Sequence, residues 1–274
     1  MILLVASHKD IASLNIQKHI LDNYHFEETD ENFQETPVRE AIINHKKVRF
    51  VTLHQESVYA QNLTSFFQDL ELVVFVSRHS SESGTPTLSV HTPGNLGEAE
   101  LGGLPRKVSF SPANAMRDTL SVMMRLKEEN KLDYEVSYEG THHGPSFDTP
   151  TMFAELGSSI KQWNDSEAAK AVAQAVIEAI SKFNSSPVKA VLGIGGTHYN
   201  AKFTQMALKS EVAFGHMIPK YAAPRADKEI LRQCVERTLE KVDHAVLDWK
   251  GIRGENKQLL VTMLDEIGLS FEKV

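Results

Sequence analysis

The chain has 274 residues, 41% hydrophobic and 24% charged, the composition of an ordinary soluble globular protein of one large domain or two modest ones. Its net charge of −7 argues against general, charge-driven binding to nucleic acid, while leaving room for a local basic patch. The single cysteine, Cys234, excludes an intrachain disulfide and a four-cysteine zinc site, fits a reducing compartment, and reads as core packing within a helical pattern.

Residues 2–7 are apolar but too short for a membrane span and lack a basic leader, so they read as a first strand. No other stretch approaches about 18 uninterrupted apolar residues, so no membrane span is expected and the cytoplasm is the default location. A helix over 11–23 follows, and strand-then-helix favours an α/β class. The polar segment 24–36 reads as an irregular surface connection. Residues 38–43 and 47–54 form two strand-like runs around Asn44-His45-Lys46, a hairpin pattern. A short helical segment is expected over 62–69. The run Leu72-Val73-Val74-Phe75-Val76 is what a central strand buried on both faces requires, and it ends at Ser77-Arg78-His79.

A strand over 87–90 leads into His91, and the glycine-rich stretch 96–105 reads as a loop or lid. Ser111-Pro112 predicts a helix to about residue 130, with serine as its cap and proline at the first helical position. Strands are expected over 132–138, 148–156 (carrying Glu155) and 188–194, with the clearest helix over 166–183. A short helix over 201–209 precedes a strand over 211–214 that ends at Gly215-His216. A helix over 227–242, a short strand over 245–247 and a last helix over 254–267 close the pattern. With no repeat and no Ser/Gly linker, residues 1–274 read as a single domain.

In open α/β sheets, ligands bind outside the carboxyl ends of the strands. The expected strands exit into His79, His91, His142-His143, His198 and His216, half of the chain's 12 histidines, most of them beside glycine. Two stretches stand out: Glu139-Gly140-Thr141-His142-His143-Gly144-Pro145-Ser146 and Gly193-Ile194-Gly195-Gly196-Thr197-His198-Tyr199. The expectation is that these two Gly-Thr-His turns face one another across one active site.

Histidine suits proton transfer near neutral pH, and its neutral ring is a common metal ligand. Three such rings, or two with a carboxylate, can hold zinc and leave a position open for water. The candidate ligands are His79, His142, His143, His198, His216 and Glu155, although no tight His-Glu-x-x-His spacing singles any of them out. A metal-free reading instead uses His142, His143 or His198 as base, with Arg78 or glycine-turn N–H groups stabilising an oxyanion. Ser146 lacks the Gly-x-Ser-x-Gly elbow of a nucleophile. Lys202, Lys220 with Tyr221, Lys250 and Arg253 place contacts for an anionic substrate near these exits.

The motifs Glu139-Gly140-Thr141-His142-His143-Gly144-Pro145, Gly195-Gly196-Thr197-His198-Tyr199 and Gly215-His216 with Ile218-Pro219-Lys220-Tyr221 resemble those of the archaeal and plant D-aminoacyl-tRNA deacylases. Asp10-Ile11-Ala12-Ser13-Leu14-Asn15-Ile16 and Ser77-Arg78-His79 fit the same pattern, in the same order, over nearly the whole chain. The resemblance implies hydrolysis of the ester joining a D-amino acid to the terminal ribose of tRNA. It also implies a zinc requirement and a fold of the phosphorylase/hydrolase type, three α/β/α layers around a mixed sheet. tRNA is then the partner, the enzyme is expected to be a monomer, and Lys202, Lys220, Tyr221, Lys250 and Arg253 would meet the acceptor end. The histidine cluster by itself equally allows a zinc-dependent peptidase or amidase acting on a small substrate, and the glycine turns allow a non-catalytic nucleotide or tRNA binder.

Overall fold

The computed structural model describes residues 1–185 and 187–274. In chain order, β1 (Ile2–Ser7) leads to α1 (Ile11–Asn23), followed by β2 (Glu27–Phe33), β3 (Thr36–Ile43), β4 (Lys46–Leu53), β5 (Leu72–Arg78) and β6 (Thr87–His91). Next come α2 (Ala113–Glu129), β7 (Glu135–Tyr138), β8 (Thr151–Gly157), α3 (Ile160–Trp163) and α4 (Ser166–Lys182). The last third holds β9 (Lys189–Ile194), α5 (Ala201–Lys209), β10 (Val212–Ile218), α6 (Lys228–Glu236), β11 (Val242–Leu247), α7 (Gly254–Glu266) and β12 (Phe271–Lys273).

The expected α/β fold around a mixed sheet is present. Eight strands run in the order β2-β3-β4-β1-β5-β8-β6-β7, with β1, β4, β5 and β8 parallel and β6 antiparallel to β8. The sequence reading did not separate off the remaining four strands, which form an all-parallel sheet of their own in the order β10-β9-β11-β12.

Strand periodicity sorts the side chains of the large sheet. Leu4, Val74, Val90 and Ala154 point to the face covered by α1, α2 and α4. Leu3, Val5, Val73, Phe75 and Phe153 point to the other face, which is closed by short 3-10 turns carrying Ala60 and Leu63 and by the loop carrying Phe147. Ser77, His91 and Glu155 share the alternation of this second face, so polar residues collect where it is covered by loops rather than helices. The main core continues from α2 and α4 into the small sheet through Val191, Phe214, Met217 and Val246, which joins the two sheets into one packed body.

Four local expectations are corrected. Residues 27–33, expected to be irregular, form β2. This strand is exposed on both faces and carries no hydrophobic alternation, and it is held at the sheet edge by β3 and by the ion pairs Arg39–Glu28 (2.6 Å) and Arg49–Glu31 (2.8 Å). Ser111 does not cap α2, because its backbone pairs with Arg237 and Leu239. The helix N–H groups of Ala113 and Asn114 donate instead to the carboxylate of Glu240, each at 3.0 Å. β10 does not stop at Phe214 but runs on to Ile218, so Gly215 and His216 lie inside the strand. Its Gly215 is obligatory, since a Cβ there would lie 2.6 Å from Thr238 Oγ1. Finally, α6 ends at Glu236, where the Arg237 side chain leaves the helix to donate to Val108 O (2.6 Å) and Phe147 O (2.8 Å). Cys234 is fully buried, as expected, and burial pushes its thiol upward.

Candidate active site

Three chain segments meet on the loop-covered face of the large sheet. The first comprises the carboxyl ends of β5 and β8, which present Ser77, His79 and Glu155. The second is the Gly140 turn after β7, and the third is the Gly195 turn after β9. The two glycine turns are stitched together, since Gly140 N donates to His198 O at 2.8 Å and Glu139 pairs with Tyr199 across an antiparallel bridge. The expected facing of the Gly-Thr-His turns is therefore what the backbone builds.

Adjacent residues in extended backbone point apart, yet the rings of His142 and His143 lie 4.2 Å from centre to centre. A left-handed backbone at His143 (φ +43°) turns it back toward its neighbour. His198 lies 4.5 Å and His91 4.3 Å from the His142 ring, so four imidazoles form one cluster. His79 joins it through Glu139.

Glu139, fully buried, is the hub. Its Oε1 lies 3.2 Å from His79 Nδ1, and its Oε2 lies 2.9 Å from His198 Nε2 and 3.8 Å from His142 Nε2. His79 is also 3.4 Å from Glu155 Oε2, contacts the Tyr199 hydroxyl, and covers the end of β8. Ser77 Oγ donates to Glu155 Oε1 at 2.6 Å.

The electrostatics follow from this crowding. Burial opposes a charge on His79, but Glu139 and Glu155 outweigh it and raise its pKa to about 11, so the ring is cationic. Burial likewise opposes ionisation of Glu139, but His198 and His79 hold it well below the ordinary carboxylate range. Glu155, desolvated and beside the Glu139 charge, is raised to about 7. In the other direction, burial holds His91, His142 and His143 below the usual histidine range, His143 at about 4, so these three rings are neutral.

Their tautomers are set by the backbone. His142 Nδ1 donates to Gly140 O at 2.8 Å and His143 Nδ1 to Gly144 O at 2.7 Å, so both Nε2 lone pairs point inward. His143 Nε2 lies 3.3 Å from His91 Nε2, while the buried Nδ1 of His91 has no hydrogen-bond partner among the described residues. Neutral rings with outer nitrogens anchored on carbonyls are what metal ligation requires. Among the described residues, three groups place their donor atoms within 4.8 Å of one another: His91/His142/His143, Glu139/His142/His198 and His79/Glu139/Glu155.

The nominated residues thus divide. His79, His142, His143, His198 and Glu155 converge on a cavity of about 660 Å³. Arg78 lines it too, but its guanidinium donates to Glu56 Oε1 (2.8 Å) and Lys9 O (3.0 Å). His216 is not brought into the cluster. It is buried inside β10, with its ring nitrogens against Thr141 Oγ1 and Arg237 O, both at 3.2 Å. Ser146 Oγ is occupied by Leu104 N and Lys107 O, each at 3.0 Å, which makes it a loop fastener. Tyr221 donates its hydroxyl toward His198 Nδ1 at 3.0 Å. Lys202 is tied to Asp248 at 2.5 Å and to Val274 O. Lys220, Lys250 and Arg253 are exposed, with no carboxylate partner among the described residues.

Sequence reasoning gave Glu139 and His91 no role. The available signal was a glutamate closing the strand Val136-Ser137-Tyr138 immediately before the Gly140 turn, a position where a charge is buried only if it is used.

His216 offers a separate test. Burial lowers its pKa to about 4, against about 6.5 in an unfolded chain. Between those values the unfolded state binds a proton that the folded state does not. The stability this neutral ring contributes is therefore complete above pH 6.5 and lost as pH falls toward 4, on the order of 3 kcal/mol across the window. His216→Asn should flatten the fall in urea midpoint between pH 7 and pH 4.5 relative to the parent protein; parallel curves would contradict this.

Comparison with known proteins identifies the family. A sequence profile for D-aminoacyl-tRNA deacylase matches residues 66–272. The D-aminoacyl-tRNA deacylase of Thermococcus kodakarensis is 38% identical over 268 residues, and that of Pyrococcus abyssi 37% over 272, each covering 96% of both chains. Among solved structures, a crystal structure of a conserved protein of unknown function superposes with a TM-score of 0.87 at 28% identity, covering 100% of this chain and 95% of that one. With motifs, order and full-length fold in agreement, the chain belongs to the D-aminoacyl-tRNA deacylase family.

Proposed function

We propose that this protein hydrolyses the ester of D-aminoacyl-tRNA, releasing a free D-amino acid and tRNA. The reading is carried by the convergence of both Gly-Thr-His turns on Glu139 in one cavity, in a chain of this family. The whole of residues 1–274 acts as one catalytic domain, because the site draws on both sheets. It acts as a monomer, a reading supported by a site that is complete within a single chain. Among the described residues no helix is long and apolar enough to cross a membrane, and a tRNA substrate supports a cytoplasmic location.

His91, His142 and His143 fit zinc best, as three neutral rings of which two are oriented by carbonyls and one keeps an unpartnered buried nitrogen. Zinc bound there would polarise the ester carbonyl and lower the pKa of water.

His198 is the base. Ionised Glu139 can only accept, so His198 carries its proton on Nε2 and its Nδ1 is the basic nitrogen. The half-exposed Tyr221 hydroxyl now at Nδ1 is the group a water displaces to reach it. Nδ1 takes a proton as the water oxygen bonds to the carbonyl carbon. It then returns that proton to the ribose oxygen as the carbon–oxygen bond breaks, leaving a carboxylic acid and a free ribose hydroxyl. Glu139 stabilises the imidazolium in between. Arg78 would assist the oxyanion after releasing Glu56. Lys220, Lys250 and Arg253 meet backbone phosphates, while Lys202 steadies the neighbouring Asp248 turn.

The test offers D- and L-tyrosyl-tRNA and a small aminopeptidase substrate to zinc-replete and chelated protein. The D-ester should be cleaved much faster than the other two, and chelation should abolish cleavage until zinc is restored. Equal loss of the D- and L-esters would refute the reading, and unchanged turnover after metal removal verified by elemental analysis would refute the zinc assignment alone.

A further inference from the structure

His142 and His143 face two cavities. The larger, about 660 Å³, holds Glu155 and His79; a second of about 240 Å³ adjoins it and is lined by Thr141, Tyr221 and Arg225. Leu101 and the two histidines line both, so together they form the partition.

The loop that carries Leu101 is fixed. Gly144 N donates to Leu101 O at 2.9 Å, and Asn95 Nδ2 donates to Gly102 O at 2.8 Å. The fit is tight enough that a Cβ on Gly144 would lie 2.1 Å from Gly103 N. Of the two readings of residues 96–105, loop or lid, these bonds favour a standing loop, and an ester reaching the histidines has a separate chamber at hand for each of its halves.

The chemistry of the chambers differs. Asp10, Glu56, Glu82 and Glu155 line the large one against two cations, the Arg78 guanidinium and the His79 ring, and Val58 and Phe153 add apolar surface. An excess of carboxylates attracts an α-ammonium group and repels phosphate. The small chamber holds Arg225, whose guanidinium has no carboxylate partner among the described residues, beside the half-exposed ring of Tyr221. Glu98 and Glu100 on its rim are exposed and solvated. Its volume falls just short of the ~300 Å³ where small-molecule pockets begin, which suits a sugar rather than a whole nucleotide. Lys220 continues the rim outward, adjoining Tyr221 in the chain.

We propose that the partition sorts the substrate. The D-aminoacyl group occupies the large acidic chamber, and the terminal ribose enters the small one, leaving its base outside against the exposed ring of Tyr221 and its phosphate at the exposed Arg225. This rests on the ester-hydrolysis reading and assigns each half of that ester a place. Base-on-aromatic stacking and one arginine–phosphate contact are sequence-tolerant, as suits the end shared by all tRNAs.

Steady-state hydrolysis of D-tyrosyl-tRNA and D-alanyl-tRNA discriminates, with folding checked by thermal melting. Arg225→Glu, an exposed change, should lower kcat/KM about tenfold on both esters equally, mainly through KM, and should flatten its dependence on salt. Ser80→Trp, on the exposed rim of the large chamber, and Val58→Trp, deeper within it, should penalise the tyrosyl ester several-fold more than the alanyl ester. The assignment is overturned if Arg225→Glu alters the tyrosyl-to-alanyl ratio, if it leaves both KM values unchanged, or if both tryptophan variants slow the two esters equally. Parent protein that cleaves neither D-ester would instead remove the underlying reading.

Discussion

Replacing His198 with alanine should lower kcat on D-tyrosyl-tRNA by roughly 10²–10⁴-fold, the usual contribution of a positioned general base. The melting temperature should fall as well, because fully buried Glu139 loses the N–H that donates to its Oε2, so rates are compared per folded molecule. Tyr221→Phe serves as the internal control. It removes the hydroxyl from Nδ1 but leaves the Glu139–His198 pair, so its effect should be far smaller. Single-turnover rates at saturating enzyme separate the chemical step from binding. A His198→Ala protein that reacts within threefold of the parent would transfer the base role elsewhere in the cluster.

The second large effect is on stability. Glu139→Gln removes the carboxylate from a fully buried ion pair and leaves the His79 cation with Glu155 as its remaining acidic neighbour. Breaking a buried pair from one side costs up to about 3–5 kcal/mol, and Glu155, 3.4 Å from the surviving His79 charge, offsets part of that. Urea denaturation at pH 7 should show a loss of that order, and turnover should collapse with it, since His198 loses the negative charge that stabilises its imidazolium. The double variant Glu139→Gln/His79→Gln should recover part of the stability and none of the activity. Additive losses in this cycle would mean that the two groups are not coupled.

Much of the architecture could be read from strand punctuation alone. The apolar runs ending at Ser7, Arg78, Tyr138 and Ile194 are strands that deliver chain to one region, and the two Gly-Thr-His turns meet there. What could not be read was the identity of the hub. Histidines advertise themselves by residue type, whereas Glu139 is one of the chain's many acidic residues, set apart in the sequence only by its place at the end of a strand and in the structure by its complete burial. His216 misled in the opposite way. It stands beside glycine in a pattern matching the other exits, but the strand continues through it because Gly215 lets Thr238 approach closely. Lys202 likewise looked free in the sequence, where its tie to Asp248, 46 positions away, is invisible. β2 carries no hydrophobic period, since the ladder and ion pairs of an edge strand leave no such mark.

The cap on α2 has a consequence for how the enzyme is made. That helix lies across the main core, yet the carboxylate satisfying its first N–H groups belongs to Glu240, about 127 positions further along the chain. During synthesis the large sheet is fully translated by residue 157, but the helix packed on it keeps bare donors at its start until the small sheet has emerged and docked. Completion of the first core is thus tied to arrival of the last third of the chain, the kind of distant closure that slows folding. The same third brings His198, so a nascent chain closes its helix and gains its base together, and a half-made enzyme has neither.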